Sequence, residues 1–381
     1  MASSPILVSS GNIAFLASVI LLYALIATLQ KWKPEKLERK GVKLEGLIIM
    51  YRTERLNRAI ISIARRRPRL LRLFGDLSAV AGLILMFYGL AYFHQNLINF
   101  WRQPEMASPV APVIPGITLS LDALPYFLVA VFLTILPHEL AHALTAVAED
   151  VPLKSTGLFL ALVFPGGFAE IDEERLGKAS LRTKLHVLSS GSFTNIASFF
   201  VFALLAILLI HPIGVRIAST LPGYPAATTL KAGDIILAVD GVSTQSLDDF
   251  QRVLASKKPG ESVELKVQRG GEVLNLTLKL APRPDNTSRG FLGVQIQQAV
   301  SSYELYNLLF WCMVLSSSVA IINMLPILPL DGGRVFQALI EKIMSPEGAK
   351  RVTMAITAYT AIIILLNIVF STNIYGFVPF P

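Results

Sequence analysis

Six long apolar runs constrain this chain more than any other feature. They cover residues 12–30, 77–92, 125–147, 186–210, 305–325 and 352–370. A helix needs about 20 apolar residues to cross about 30 Å of hydrocarbon. Backbone polar groups there must be satisfied internally, so continuous apolar runs predict helices rather than open strands. The chain is 53% hydrophobic and only 16% charged, against roughly 25% charged in soluble domains. The expected fold is therefore a polytopic α-helical membrane protein with about six transmembrane helices. Residues 1–11 carry no basic segment ahead of the first run, so that run reads as a retained span and not as a signal peptide. The single cysteine, Cys312, lies in an apolar run and reads as a small buried hydrophobe.

Loop charges set the orientation. Residues 31–76 hold 14 Lys and Arg, whereas residues 93–124 hold only Arg102. The positive-inside rule then puts the first loop in the cytoplasm and the second outside. Both termini and the 212–304 region fall outside, in what reads as the plasma membrane. The net charge of +8 belongs to cytoplasmic loops facing the lipid bilayer, and no nucleic-acid partner is implied.

The third run carries His138-Glu139-Leu140-Ala141-His142. Two histidines four apart on a helix share a face and can hold one Zn²⁺. Glu139 beside them is placed to take a proton from water. Ionisable groups are costly at membrane depth, so three within five residues point to function. A catalytic zinc takes a third protein ligand and keeps one position open. Of the other histidines, His94 and His211 lie near the outer ends of their spans and His186 begins the fourth. Asp331, in Leu330-Asp331-Gly332-Gly333, is the more economical choice. It follows the fifth run, which like the third runs outside to inside, so both motifs reach the same cytoplasmic depth. Pro326 and Pro329 would break the helix ahead of it, and broken backbone at that depth needs a polar cavity or protein beside it. Asp331 could instead cap the helix that follows.

Residues 212–298 change character. Alternating segments at 235–239, 263–267, 273–280 and 291–294, turn signals such as Asp240-Gly241 and Gly270-Gly271, and an amphipathic stretch at 247–256 predict a small α+β domain. It resembles a PDZ domain through Gly223-Tyr224-Pro225-Ala226 and the run from Lys231 through Asp240-Gly241. The resemblance implies capture of a peptide end by the 223–226 loop; a size filter for substrates is the alternative. The chain thus divides into membrane parts at 1–211 and 299–381 around the insert at 212–298.

Residues 156–172 are apolar but interrupted by Pro165-Gly166-Gly167. A hairpin dipping back toward the site fits them. Its edge could pair with an extended substrate, or it could simply pack. Residues 46–52 are strand-like and could extend it. The arginines at 65–72 suit anionic lipid head groups.

Taken together, the His138–His142 motif, the N-x-x-P-x-x-x-L-D-G pattern over 323–332 and the PDZ-like insert resemble the site-2 protease family of intramembrane zinc metalloproteases. The six-span layout is most similar to archaeal members. The resemblance implies that His138, His142 and Asp331 hold zinc and that Glu139 is the catalytic base. It implies substrate roles for Asn195 and Asn323, although Ser192 stands where the family's G-P-x-x-N has proline. Asn323 could otherwise satisfy broken helix groups. The implied substrate is the transmembrane helix of another protein, already cut once elsewhere. A non-catalytic zinc-binding or PDZ sensor is the alternative.

Overall fold

The computed structural model describes residues 10–115 and 117–376, without the side chains of 10–16, 38 and 39. Residues 1–9, part of the N-terminal segment without a basic region that argued against a signal peptide, lie outside that range. The chain splits into two compact units, residues up to Ala203 with Asn307 onward, and Leu204–Tyr306.

The first unit opens with helices α1 (Ser10–Trp32) and α2 (Pro34–Arg39), strands β1 (Val42–Glu45) and β2 (Ile48–Arg52), and helices α3 (Glu54–Arg66) and α4 (Pro68–Arg102). Then come α5 (Leu124–Ala148), strands β3 (Leu153–Ala161) and β4 (Phe164–Ile171), α6 (Glu173–Lys178) and α7 (Leu181–Leu209). Among the described residues, five helices are long and apolar enough to cross a membrane: α4, α5, α7, and two near the C-terminus, Tyr303–Asn323 and Pro346–Tyr375. The first run is also helical, but only Ala17–Trp32 of it is described in full, a shorter apolar helix.

Helix α4 is much longer than the apolar run at 77–92. Its polar ends are satisfied within the protein. Arg72 donates to the Ala148 carbonyl, and buried Asn96 bonds Asn367 at 2.9 Å. Gly75, Gly82 and Gly89 recur every seven residues along α4 and so share one face. A Cβ at each would collide with His186, with Ser189 and Met324, and with Leu325 and Ile321.

The hairpin at 156–172 forms as expected. Strands β1, β2, β3 and β4 make one antiparallel sheet in that order, and β2 extends the hairpin with Tyr51 opposite Leu158. Gly167 of β4 lies against Leu136, where a Cβ would come within 2.9 Å of it. The sheet therefore runs back beside the middle of α5.

The second unit holds β5 (Pro212–Thr220), α8 (Ala226–Thr229), β6 (Ile235–Val239), β7 (Val242–Ser243), α9 (Leu247–Ala255), β8 (Ser262–Arg269), β9 (Glu272–Lys279), β10 (Ala281–Pro282), β11 (Gly290–Phe291) and β12 (Val294–Val300). Its main sheet has the order β12-β5-β6-β8-β9. Val215, Ile217, Ile236, Val239, Phe250, Leu265 and Leu292 close its core. Helix α9 starts on a capping box between Ser246 and Asp249. Buried Asp234 is held by Arg269 at 2.6 Å. Burial alone would raise its carboxyl pKa, but the Arg269 guanidinium and the Lys231 backbone N–H outweigh that and lower it.

The chain ends with α10 (Tyr303–Asn323), α11 (Asp331–Ile340) and α12 (Pro346–Tyr375). As the prolines predict, the helix stops at Asn323 and residues 324–330 are irregular. Cys312 is a buried free thiol, as expected.

Candidate metal centre

Helix spacing builds half of the centre. On α5, His138 and His142 point the same way, and their Nε2 atoms are 3.1 Å apart. Both are buried, at 4% and 7% exposure. Asp331 opens α11 and brings its Oδ2 to 3.2 Å from His142 Nε2 and 3.6 Å from His138 Nε2. These three ligand atoms form a group tight enough to hold a metal ion. The capping alternative for Asp331 has no support, because Leu330 occupies the N-cap position and no side chain caps α11.

Two glycines let Asp331 reach this place. A Cβ on Gly332 would lie 2.2 Å from the Met324 backbone, and one on Gly333 would lie 2.4 Å from the Ile327 backbone. The first turn of α11 can therefore press onto the broken segment at 324–330. Close backbone approach, not a left-handed turn, is what requires glycine here.

A third glycine, Gly191, enters the sequence only as the first residue of the G-P-x-x-N counterpart, with no role of its own. On α7, a Cβ at Gly191 would sit 2.4 Å from His142 Nε2 and 2.6 Å from His138 Nε2. The bare face of α7 forms the floor on which the ligand atoms meet. Only the assembled helices reveal this, because glycine in an apolar run has many uses.

The histidines are oriented from behind. His142 Nδ1 lies 2.7 Å from the Val187 carbonyl, which can only accept. Nδ1 therefore carries the proton, and the Nε2 lone pair faces the centre. Asn195, on α7, faces His138 Nδ1 at 3.0 Å through its Nδ2. Its Oδ1 is buried with no partner, an unfavourable arrangement. Turning the amide by 180° lets Oδ1 accept a proton from His138 Nδ1 and removes that orphan atom. His138 Nε2 is then also free to bind a cation. The donor set, the backing glycine and the orphaned oxygen all fit a bound zinc.

Asn323 lies inside the cluster, with Nδ2 3.0 Å from His138 Nε2 and 3.1 Å from Asp331 Oδ2. Glu139 is half-buried beside the histidines. No hydrogen bond to its carboxylate is present among the described residues. His186, expected only as the start of a span, is buried between Glu149 Oε1 at 3.0 Å and Asp76 Oδ1 at 2.9 Å. These contacts tie α7 to α5 and α4 one residue before the Val187 carbonyl. The partners are 37 and 110 positions away, which no local pattern reveals.

In the second unit, the 223–226 loop does not line the main groove. That groove, about 580 Å³, runs between α9 and the strand residues 290–296. Apolar Phe250, Leu254, Leu292 and Ile296 line it together with Arg252, Arg283 and Arg289. The loop packs elsewhere because Tyr224 fills the space left by Gly293, where a Cβ would lie 2.0 Å from Tyr224 Cβ. Tyr224 also meets Phe291 edge-on at 5.3 Å.

Residues 126–367 match the signature of Peptidase family M50, and the chain belongs to that family. It is 29% identical to an uncharacterized protein of Methanocaldococcus jannaschii, over 60% of this chain and 61% of that protein. It is 28% identical to a membrane-bound transcription factor site-2 protease homolog of Arabidopsis thaliana, over 52% of this chain and 40% of the relative. The chain thus spans less than two thirds of the length of either. Part of the chain is similar to the PDZ domain of an SdrC-like protein from Listeria monocytogenes, at 29% identity over 22% of this chain and 87% of that domain, with a TM-score of 0.21.

Proposed function

We propose that this membrane protein is a zinc metallopeptidase that hydrolyses a peptide bond within or beside a membrane-spanning segment of another protein. The observation that carries the reading is the meeting of His138, His142 and Asp331 next to Glu139, whose carboxylate accepts no hydrogen bond among the described residues, with both histidines and Glu139 on a helix apolar enough to span. His138 and His142 through Nε2 and Asp331 through Oδ2 would hold the ion. Zinc, when bound, supplies Lewis acidity that polarises a carbonyl and makes water acidic near neutral pH. Glu139 takes a proton from the attacking water as its oxygen bonds to the scissile carbonyl carbon. As the carbon–nitrogen bond breaks, Glu139 returns that proton to the leaving amine. Asn323, whose amide lies among the ligand atoms, would bind the substrate carbonyl.

Asn195 takes a different part from the one its motif suggests. Its contact is with His138 Nδ1, so it holds a ligand in the right tautomer and acts as a positioning residue. Asn195→Leu should weaken zinc binding about tenfold to a hundredfold, the usual cost of losing such a partner. Asn195→Asp should restore most of it, because a carboxylate also accepts from Nδ1–H. Competition with a fluorescent zinc chelator measures both, and equal affinity in all three proteins would remove the role.

The reading extends to six spans with α1 as the first, a cytoplasmic active site, and an extracytoplasmic PDZ-like unit. The α9 groove, apolar with arginines beside it, suits the C-terminal carboxylate of a trimmed substrate. The direct test is metal content together with cleavage of a membrane substrate in reconstituted vesicles. The wild-type chain should hold one zinc and cut. Asp331→Ala should lose zinc and activity together. Stoichiometric zinc without turnover in the wild type would favour a sensor and overturn the protease.

A further inference from the structure

The first unit contains a cleft of about 890 Å³ on the sheet side, remote in sequence from the metal ligands. Lys40, Arg52, Arg55, Arg58 and Lys154 line it, against one acid, Glu54. None of these five cations is in an ion pair among the described residues, whereas Arg72, Arg182 and Arg269 are all paired. Glu45 acts on Arg52 and Asp172 on Lys154 through space, but neither forms an ion pair with them, and five clustered cations still repel one another unless a further anion joins them. Thr53 begins α3 without a side-chain cap. The first N–H groups of that helix therefore add to the positive potential.

The surroundings identify the anion. The cleft lies at the end of the sheet where Arg52 pairs with Gly157, close to Pro152, whose carbonyl accepts from Asp172 N just beyond the end of α5. From there β2 and β3 run toward Leu47 and Leu162, about five residues and roughly 17 Å away. On β2 and β3 that far end is apolar and open to the surroundings, while β1 beside it carries the exposed Lys43–Glu45 ion pair. Leu47 is 63% exposed and Leu162 is 51% exposed, with Ile48 and Leu158 also exposed. It lies at membrane depth, because β4 passes Leu136 in the middle of α5. Helix α1 crosses the strands near this far end. Gln30 bonds the Leu44 backbone and the Tyr23 hydroxyl donates to the Leu47 and Leu160 carbonyls, and Leu44, Ile49 and Leu160 share one rung of the sheet. Along β2 and β3 the surface thus grades from cations without ion pairs to exposed apolar side chains.

We infer that this cleft binds the phosphate of an anionic phospholipid, whose acyl chains lie along the exposed ends of β2 and β3. A soluble phosphate would use the cations but would have no use for the apolar strip. The lipid would cover the side chains that the sheet leaves bare and would fix α3 and the sheet at a defined depth beside α5. Lys342, Lys350 and Arg351 are exposed, lie outside the cleft and serve as internal controls.

The full chain is placed in nanodiscs of equimolar phosphatidylglycerol and phosphatidylcholine, released in the mass spectrometer, and scored for retained lipid. Wild type should retain one phosphatidylglycerol. Arg52→Gln/Arg55→Gln/Arg58→Gln should weaken that retention about a hundredfold, given the usual contribution of each cation near a lipid surface. Arg52→Lys/Arg55→Lys/Arg58→Lys should keep it, which separates loss of charge from misfolding. Lys342→Gln/Lys350→Gln/Arg351→Gln should also keep it. Equal loss in both glutamine triples would reduce the site to diffuse surface attraction and overturn it. Displacement of the lipid by millimolar inorganic phosphate alone would overturn it in favour of a soluble anion.

Discussion

Glu139→Gln should abolish measurable peptide cleavage while leaving zinc at one per chain. Removing a general base typically costs 10²–10⁴ in rate, and glutamine cannot accept the proton. The metal should stay because Glu139 is not among the three atoms that converge, and glutamine preserves the volume of a half-buried position. Cleavage of a fluorogenic membrane substrate and elemental analysis of the same sample measure the two quantities. Wild-type turnover in Glu139→Gln would remove Glu139 from the mechanism. Loss of zinc would show that Glu139 supports the centre and does not move protons.

Gly191→Ala should be nearly as damaging, although it adds only a methyl group and leaves every ligand in place. That methyl would fall 2.4 Å from His142 Nε2 and 2.6 Å from His138 Nε2, far inside contact distance. The rings cannot retreat without breaking the Val187 and Asn195 contacts behind them. Zinc affinity should fall about tenfold to a hundredfold, as it does when ligands are mispositioned. Cleavage should fall by about a hundredfold, the cost of a displacement near 1 Å. Circular dichroism should change little, since alanine suits a helix. Unchanged zinc affinity in Gly191→Ala would mean that α7 does not floor the centre.

The two predictions differ in how far the sequence anticipates them. His138, Glu139 and His142 were legible because a spacing of four is a property of one helix and needs no tertiary knowledge. Asp331 was legible because its Leu-Asp-Gly-Gly run follows prolines that must end a helix. Gly191, Val187 and the clamp on His186 were not, since each acquires meaning only from a partner on another helix. The true extent of α4 was hidden for the same reason. Arg72 and Asn96 look like loop residues until the Ala148 carbonyl and Asn367 are beside them.

In the second unit, β6, β8, β9 and α9 followed from alternation and turn chemistry. Strands β5 and β12 did not. One opens with Pro212 and includes Gly214, the other carries Gln295, Gln297 and Gln298, and they pair across some eighty intervening residues. The 223–226 loop, which the PDZ resemblance implies as the peptide loop, does not line the α9 groove; Tyr224 packs against Gly293 and Phe291.

The seven-residue glycine stripe on α4 carries a consequence for how this chain tolerates change. Gly75 abuts His186, beside the residue that orients His142; Gly82 abuts Ser189 and Met324; Gly89 abuts Leu325 and Ile321. Helix α4 supplies no ligand, yet it is a gauge block between the helix that floors the metal and the broken segment that delivers Asp331. Its three bare positions set the clearance between the two halves of the ligand set. A helix without a single reacting atom is therefore held to tolerances as tight as those of the catalytic motif.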